Sequence, residues 1–193
     1  MKTAIILASG PSLSIEQIDA ARASKHRTIV VNSTYQKFLD ADTLYAGDYL
    51  WWKIHHADVK AQFKGERVTG DSSVAARWPD VTRVRSAFRE GLGREIIHQN
   101  GNSGVAALNL AYLQGFERIV LLGFDMKLGP NGEKHHHPDH PAPCVQGQTF
   151  GEWLHKLESV ARDFKKTQCL VVNATPDSAM KCFPVADWRE VLG

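Results

Sequence analysis

Cysteine is scarce in this chain. Cys144, Cys169 and Cys182 are widely spaced, odd in number and form no C-x-x-C pair. That argues against a disulfide framework or a paired-thiol redox motif and suggests a reduced, intracellular setting. Long apolar runs are also missing, since none approaches the roughly 18 residues of a membrane span. Met1-Lys2 leads straight into a strand-like run. No secretory leader with a separate charged region and cleavage site is therefore expected, and the expected location is cytoplasmic. Charge of one sign is not in excess, with 23 Lys and Arg against 21 Asp and Glu. This balance lacks the basic footprint of a nucleic-acid binder. Two nucleotide fingerprints are absent as well. The first small-residue turn carries one glycine, Gly10, where a dinucleotide fold needs G-x-G-x-x-G, and no G-x-x-x-x-G-K-[ST] occurs. NAD, FAD and P-loop chemistry are unsupported.

What is present is an alternation of apolar runs and amphipathic stretches over 193 residues, enough for one domain with a substantial core. The pattern predicts a single-domain α/β protein, Rossmann-like, with a mainly parallel sheet and helices on both faces. Strands are expected at Thr3–Ala8, Thr28–Val31, Thr43–Ala46, Ile119–Leu122 and Cys169–Val172. Ser14-Ile15-Glu16-Gln17 and Thr149-Phe150-Gly151-Glu152 have capping-box form, and Ile15, Ile18 and Ala21 would share one helical face. Further helices are expected from Tyr49 to Phe63 and from a Ser103 cap to about Tyr112, with Gly115 past its end. Between Gly65 and Asn100 only Glu66–Thr69 and Val81–Arg85 read as short strands, and the tail reads as irregular or weakly helical.

Four strand ends carry small or polar residues: Ser9-Gly10, Asn32-Ser33, Gly47-Asp48 and Gly123-Phe124-Asp125. In a parallel sheet these ends share one edge, where ligands bind. The turn Ser9-Gly10-Pro11-Ser12, between a buried strand and a helix start, is expected to offer backbone N–H groups to a phosphate. Gly101-Asn102-Ser103-Gly104 is a second such turn at a helix start, although Ser103 could be a plain cap. Asp48 and Asp125 could hold Mg²⁺ or cap turns. Trp51 and Trp52 could stack on a base or simply be core, while His55 and His56 read as packing or surface residues. Arg83, Arg85, Arg89 and Arg94 crowd the middle segment, where one could neutralise a phosphate and the rest form a solvated face.

The segment Lys127–Gln148 is rich in Gly, Pro and His and long for a connection in a compact domain. Within it His135-His136-His137-Pro138-Asp139-His140 offers imidazoles for general acid–base work. A transition metal bound there, with His135 as a ligand, is the less favoured alternative, because the helical H-E-x-x-H spacing is absent.

Ile5-Ile6-Leu7-Ala8-Ser9-Gly10-Pro11-Ser12-Leu13 resembles the opening motif of the bacterial family-42 sialyltransferases and of the related DUF115 (MptE-like) Rossmann proteins. Gly101–Val105 and Leu113–Asp125 resemble their second block, and Asn173–Ser178 their closing element. The blocks keep the family order over most of the chain. The resemblance implies that Ser9, Gly10, Pro11, Ser12, Asn102, Ser103, Gly104 and Asp125 hold a nucleotide, with Asn32 facing the donor. It implies a histidine base after the G-F-D strand, His140 or its neighbour His137. Where the sialyltransferases place tyrosines after that strand, this chain has Met126-Lys127, so Lys127 would have to supply their electrostatic role.

The function expected is a nucleotide-binding transferase, most like a CMP-sugar-dependent glycosyltransferase, with a nucleotide or nucleotide-sugar and a small-molecule or glycan acceptor as partners. Three alternatives stand beside it: an MptE-like diphosphokinase using ATP and Mg²⁺ at Asp48 and Asp125, a metal-dependent hydrolase built on the His-rich loop, and a nucleotide-binding protein without catalysis. No cofactor is firmly implied.

Overall fold

Every strand of the central sheet runs in the same direction. The computed structural model describes residues 1–138 and 149–192. In chain order the elements are β1 (Thr3–Leu7), α1 (Ile15–Ala23), β2 (Arg27–Val31), a 3₁₀ turn (Asn32–Lys37), β3 (Thr43–Tyr45), α2 (Tyr49–Gln62), β4 (Glu66–Thr69), α3 (Ser72–Arg77) and β5 (Thr82–Arg83). There follow β6 (Ser86–Ala87), β7 (Ile97–His98), α4 (Ser103–Leu113), β8 (Arg118–Leu122), α5 (Phe150–Phe164), β9 (Leu170–Asn173) and α6 (Trp188–Leu192). The seven-stranded sheet has the order β5-β4-β3-β2-β1-β8-β9. The chain winds outward from β1 to β5, then returns through α4 to lay β8 against the other side of β1. The winding direction thus reverses between β1 and β8, and ligands of open α/β sheets bind at the carboxyl edge of such a reversal.

Side chains alternate across each strand, so the two faces of the sheet bury separate cores. Ile6, Ile29, Ile119 and Leu121 pack with Val105, Leu108 and Ala111 of α4 and with Leu157, Val160 and Phe164 of α5. Ile5, Leu7, Val30, Leu44 and Val120 pack with Ile18 and Ala21 of α1 and with Trp51, Trp52 and Val59 of α2. Helix α4 is buried at every position from Gly104 to Leu110 and on to Ala111, because the sheet lies on one side of it and Leu92 and Ile97 join the same cluster. An apolar surface all round is what such a position requires.

Local sequence signals set the helix starts. Ser14 and Gln17 form the expected capping box on α1, and Thr149 and Glu152 form the other on α5. Ile15, however, is exposed, so the buried face of α1 is Gln17, Ile18 and Ala21. Asp48 caps α2 by accepting from the N–H groups of Leu50 and Trp51. The cap of α4 is Asn102 rather than Ser103: its Oδ1 accepts the Val105 N–H at 3.1 Å.

The middle segment differs most from expectation. Residues 72–77 form α3, the second short strand shrinks to Thr82–Arg83, and β6 and β7 pair in a small parallel sheet of their own. Asn109, buried on α4, fastens this segment. Its Oδ1 accepts from Gly93 N at 2.8 Å and His98 N at 2.9 Å, and its Nδ2 donates to Gly93 O at 2.8 Å. Among the described residues no helix is long and apolar enough to cross a membrane.

Candidate functional site

The carboxyl edge is built outward from the β1–β8 contact. The ladder continues past both strands, with Ala8 N donating to Leu122 O and Gly10 N to Gly123 O, each at 2.9 Å. Gly123 turns with φ +70°, and a Cβ there would stand 2.4 Å from Ala8 O. A Cβ on Gly10 would stand 1.8 Å from Asp125 Oδ2. Glycine is required at both positions because two chain segments cross in contact.

That crossing decides what the first turn can do. Asp125 is 5% exposed, and its Oδ1 accepts the Ser12 N–H at 3.0 Å while Oδ2 accepts the Ser12 hydroxyl at 3.0 Å. Pro11 has no N–H, and Leu13 N donates to Gly10 O at 3.2 Å. The Ser12 amide therefore serves an internal carboxylate, and the Gly10 and Leu13 amides serve the chain itself. Burial pushes the Asp125 carboxyl upward, partly offset by the two bonds from Ser12. The next residues are clamped by the closing segment. Phe124 N donates to Thr175 Oγ1 at 3.0 Å, Ser178 Oγ donates to Phe124 O at 2.6 Å, and Ala179 N donates to Asp125 O at 2.8 Å. Lys127 pairs with Asp177.

At the end of β2, Asn32 adopts φ +49°, a left-handed conformation uncommon outside glycine, and its Oδ1 is buried without a partner. The 3₁₀ turn that follows buries Ser33, Thr34 and Tyr35. Ser33 Oγ accepts from Trp51 Nε1 at 3.2 Å, and Trp52 Nε1 donates to Ala46 O at 2.9 Å. Both tryptophans are core residues, 3% and 0% exposed, and present no stacking surface. His55 packs at a tilt against Trp51, and His56 stacks on Trp78 and pairs with Asp80. At the end of β3, Tyr45 is fully buried and its hydroxyl has no partner. The start of α4 reaches the same edge, for Gly104 faces the Phe124 ring and Ser103 Oγ lies beside Gly47. The Asn102–Gly104 turn and the β8 end therefore meet on one side of the molecule.

The histidine segment folds onto this edge. His136 N donates to Ser9 O at 3.0 Å, and His136 Nε2 lies 3.3 Å from Thr34 Oγ1, which lies 3.1 Å from Ser9 Oγ. Burial, with the Lys37 charge and His137 nearby, pushes the His136 imidazole down to about 3. It is a neutral structural partner at physiological pH and too weak a base for proton abstraction. His137 follows it in the chain. Its Nδ1 lies 2.7 Å from the Pro138 carbonyl, which can only accept, so Nδ1 carries a hydrogen. His135 stacks on His137. His140 lies outside the described residues.

The Mg²⁺ and metal expectations find no assembled ligand set. Asp48 Oδ1 is spent on the α2 cap and both Asp125 oxygens on Ser12. Among the described residues no three His, Cys, Asp or Glu side chains are grouped to hold a metal ion, so Asp48 and His135 are not brought into such a group. Arg83, Arg85, Arg89 and Arg94 are all exposed, and Arg94 reaches Tyr112. Burial pushes the Cys169 and Cys182 thiols up to about 11, which makes them inert at neutral pH. Thr34 and Tyr45 were missed as site residues, and Thr34 alone of the two stands beside a polar strand end, Asn32-Ser33; His136 belongs to the histidine run that the sequence singles out.

No protein-family model, curated protein or solved structure matches this chain.

Proposed function

We propose that the chain is a nucleotide-binding transferase, most like a CMP-sugar-dependent glycosyltransferase, with its site on the carboxyl edge between β3, β2, β1 and β8. The observation that carries this reading is Asn32. A buried side-chain carbonyl oxygen left unpaired is a cost the fold bears at the end of β2, next to the winding reversal. A ligand amino or hydroxyl group donating to Oδ1 would recover that cost, and both the base and the ribose of a nucleotide carry such groups. The start of α4 adds backbone N–H groups and the positive end of a helix dipole on the same edge.

In this reading a histidine of the His-rich loop, His137 or His140, takes the proton of an acceptor hydroxyl as its oxygen bonds to the sugar's anomeric carbon. The bond to the nucleotide phosphate breaks with its electron pair, and CMP leaves. The commitment of both Asp125 oxygens to Ser12 favours this reaction over diphosphate transfer with Mg²⁺ shared between Asp48 and Asp125.

A thermal-shift screen with CMP, CDP, UDP, ATP and GTP, each with and without Mg²⁺, tests the assignment. A ligand of the native state raises the melting temperature by mass action. Stabilisation by CMP independent of Mg²⁺ is expected. Stabilisation by ATP only with Mg²⁺ would replace the proposal with the diphosphokinase, and no shift with any nucleotide would remove both.

A further inference from the structure

We infer that the Tyr45 hydroxyl is a ligand-binding group, and that with Ser103 and Gly104 it forms the subsite for a phosphate of the bound nucleotide. The identity of the ligand as a nucleotide rests on the function proposed above; the anion subsite itself rests on geometry.

Tyr45 is 0% exposed, and its hydroxyl has no hydrogen-bond partner. A tyrosine that only filled space here would serve better as phenylalanine, because a buried hydroxyl without a partner is penalised. The hydroxyl also sits at a specific place. A Cβ built on Gly47 would lie 3.8 Å from the Tyr45 hydroxyl oxygen and 3.6 Å from Ser103 Oγ. The two hydroxyls therefore flank one small space above the bare Cα of Gly47. Helix α4, eleven residues long, begins at that space. Its N-cap side chain takes the Val105 N–H, and the amides of Ser103 and Gly104 precede the intrahelical ladder.

The polar groups beside the space, the Tyr45 phenol and the Ser103 hydroxyl, can both donate, and the helix that starts at Ser103 adds its terminal amides. Burial pushes the Tyr45 phenol upward, so it remains a neutral O–H donor. Donors at the positive end of a helix fit a multivalent anionic acceptor, which is the chemistry of a phosphate. The other small-residue turn is closed to the same group, since Asp125 fills the Ser9–Ser12 turn with a carboxylate. The anion is thereby directed to α4 and Tyr45 rather than to the first turn.

Isothermal titration of the full chain with inorganic pyrophosphate and with CMP tests this, using wild type, Tyr45→Phe and Gly47→Ala. Tyr45→Phe removes only the hydroxyl. Gly47→Ala places a methyl in ordinary contact with both hydroxyls and fills the space between them. Both variants are expected to weaken both ligands at least tenfold. Without ligand, Tyr45→Phe should melt at or above the wild-type temperature, and Gly47→Ala near it. Wild-type affinity in both variants would overturn the inference, as would a Tyr45→Phe protein that melts several degrees lower with its affinity intact. Pyrophosphate binding weakened by both variants, with no CMP binding, would keep the anion subsite and remove the nucleotide. CMP binding indifferent to both would keep the nucleotide and remove the subsite. Absence of binding by either probe would remove both.

Discussion

Asp125 holds Ser12 across 113 residues of sequence, accepting the backbone N–H with one carboxylate oxygen and the hydroxyl with the other, each at 3.0 Å. This pair closes the turn after β1 against the turn after β8 and fixes the floor of the candidate site. Removing the carboxylate in Asp125→Ala strands two donors in a mostly buried position. Hydrogen bonds to charged groups contribute about 1.5–3 kcal/mol each, so a loss of about 3 kcal/mol is expected. Urea unfolding measures it, and a loss below about 1 kcal/mol would mean that the turn does not depend on the pair.

The same carboxylate has a pH signature. Its folded pKa lies above the unfolded value, so the native state holds the proton more tightly. Stability owed to Asp125 is then present below the unfolded pKa of about 3.9 and is lost as pH rises through the folded value. Asp125→Asn cannot titrate. The stability difference, wild type minus variant, should fall as pH rises from about 4 and then level off. A difference that grows with pH would contradict the desolvated state of this group.

His136 titrates in the opposite sense. Its folded value near 3 lies far below the ordinary 6.5, so the native state binds fewer protons than the unfolded chain between the two. Stability owed to a neutral His136 is full above about pH 6.5 and is lost as pH falls through that window, with a slope of at most about 1.4 kcal/mol per pH unit. His136→Gln keeps a polar side chain without the titration. It should flatten the acid limb of unfolding free energy against pH, and an unchanged limb would place the imidazole in solvent.

Gly10→Ala sets a methyl 1.8 Å from Asp125 Oδ2 and 2.4 Å from Gly123 O. The second contact is backbone and cannot swing aside, so the loss should exceed about 3 kcal/mol or prevent folding. Gly115→Ala is the control. Nothing lies within 4 Å of its Cβ, and only the strain of φ +75° is added. A cost of about 1 kcal/mol is expected there. Similar losses in the two variants by urea unfolding would contradict the crossing described at Gly10.

Asn109 tests the middle segment. Asn109→Ala leaves Gly93 N, Gly93 O and His98 N without their partner in a buried place. At about 1–3 kcal/mol per stranded group, partly relieved by relaxation, a loss of about 3 kcal/mol is expected. Backbone amide exchange at Gly93 and His98 should accelerate with it. Unchanged exchange at both would show that the segment is held by other contacts.

The contrast between Asn109 and Ile119–Leu122 shows what the sequence could reveal. A run of buried aliphatics bounded by Gly115 and Gly123 can only be an inner strand, and both capping boxes are local patterns that act within four residues. Parallel strands in turn bring their polar ends to one edge. Asn109 has no local signature, because its partners lie 11 and 16 residues away, in β7 and in the segment before it, which the helix itself must position. Helix α3, with six residues, is too short for a periodic pattern, and β5, β6 and β7 have two residues each. The expected role of the first turn depended on its amides being open. The occupation of the Ser12 amide by Asp125 is a tertiary contact that only the β1–β8 pairing creates. Tyr45 read as one more apolar strand residue, since nothing in Thr43-Leu44-Tyr45 signals a hydroxyl without a partner.

The most direct measurement is calorimetric titration of CMP into wild type and Asn32→Gly. Glycine accepts the left-handed backbone at φ +49° without strain and deletes only the unpaired side chain. Saturable binding to wild type, weakened at least tenfold in a variant that melts no lower, is expected. Equal affinity in the two proteins, or no binding of CMP to wild type, would contradict the assignment of this edge as a CMP site read by Asn32.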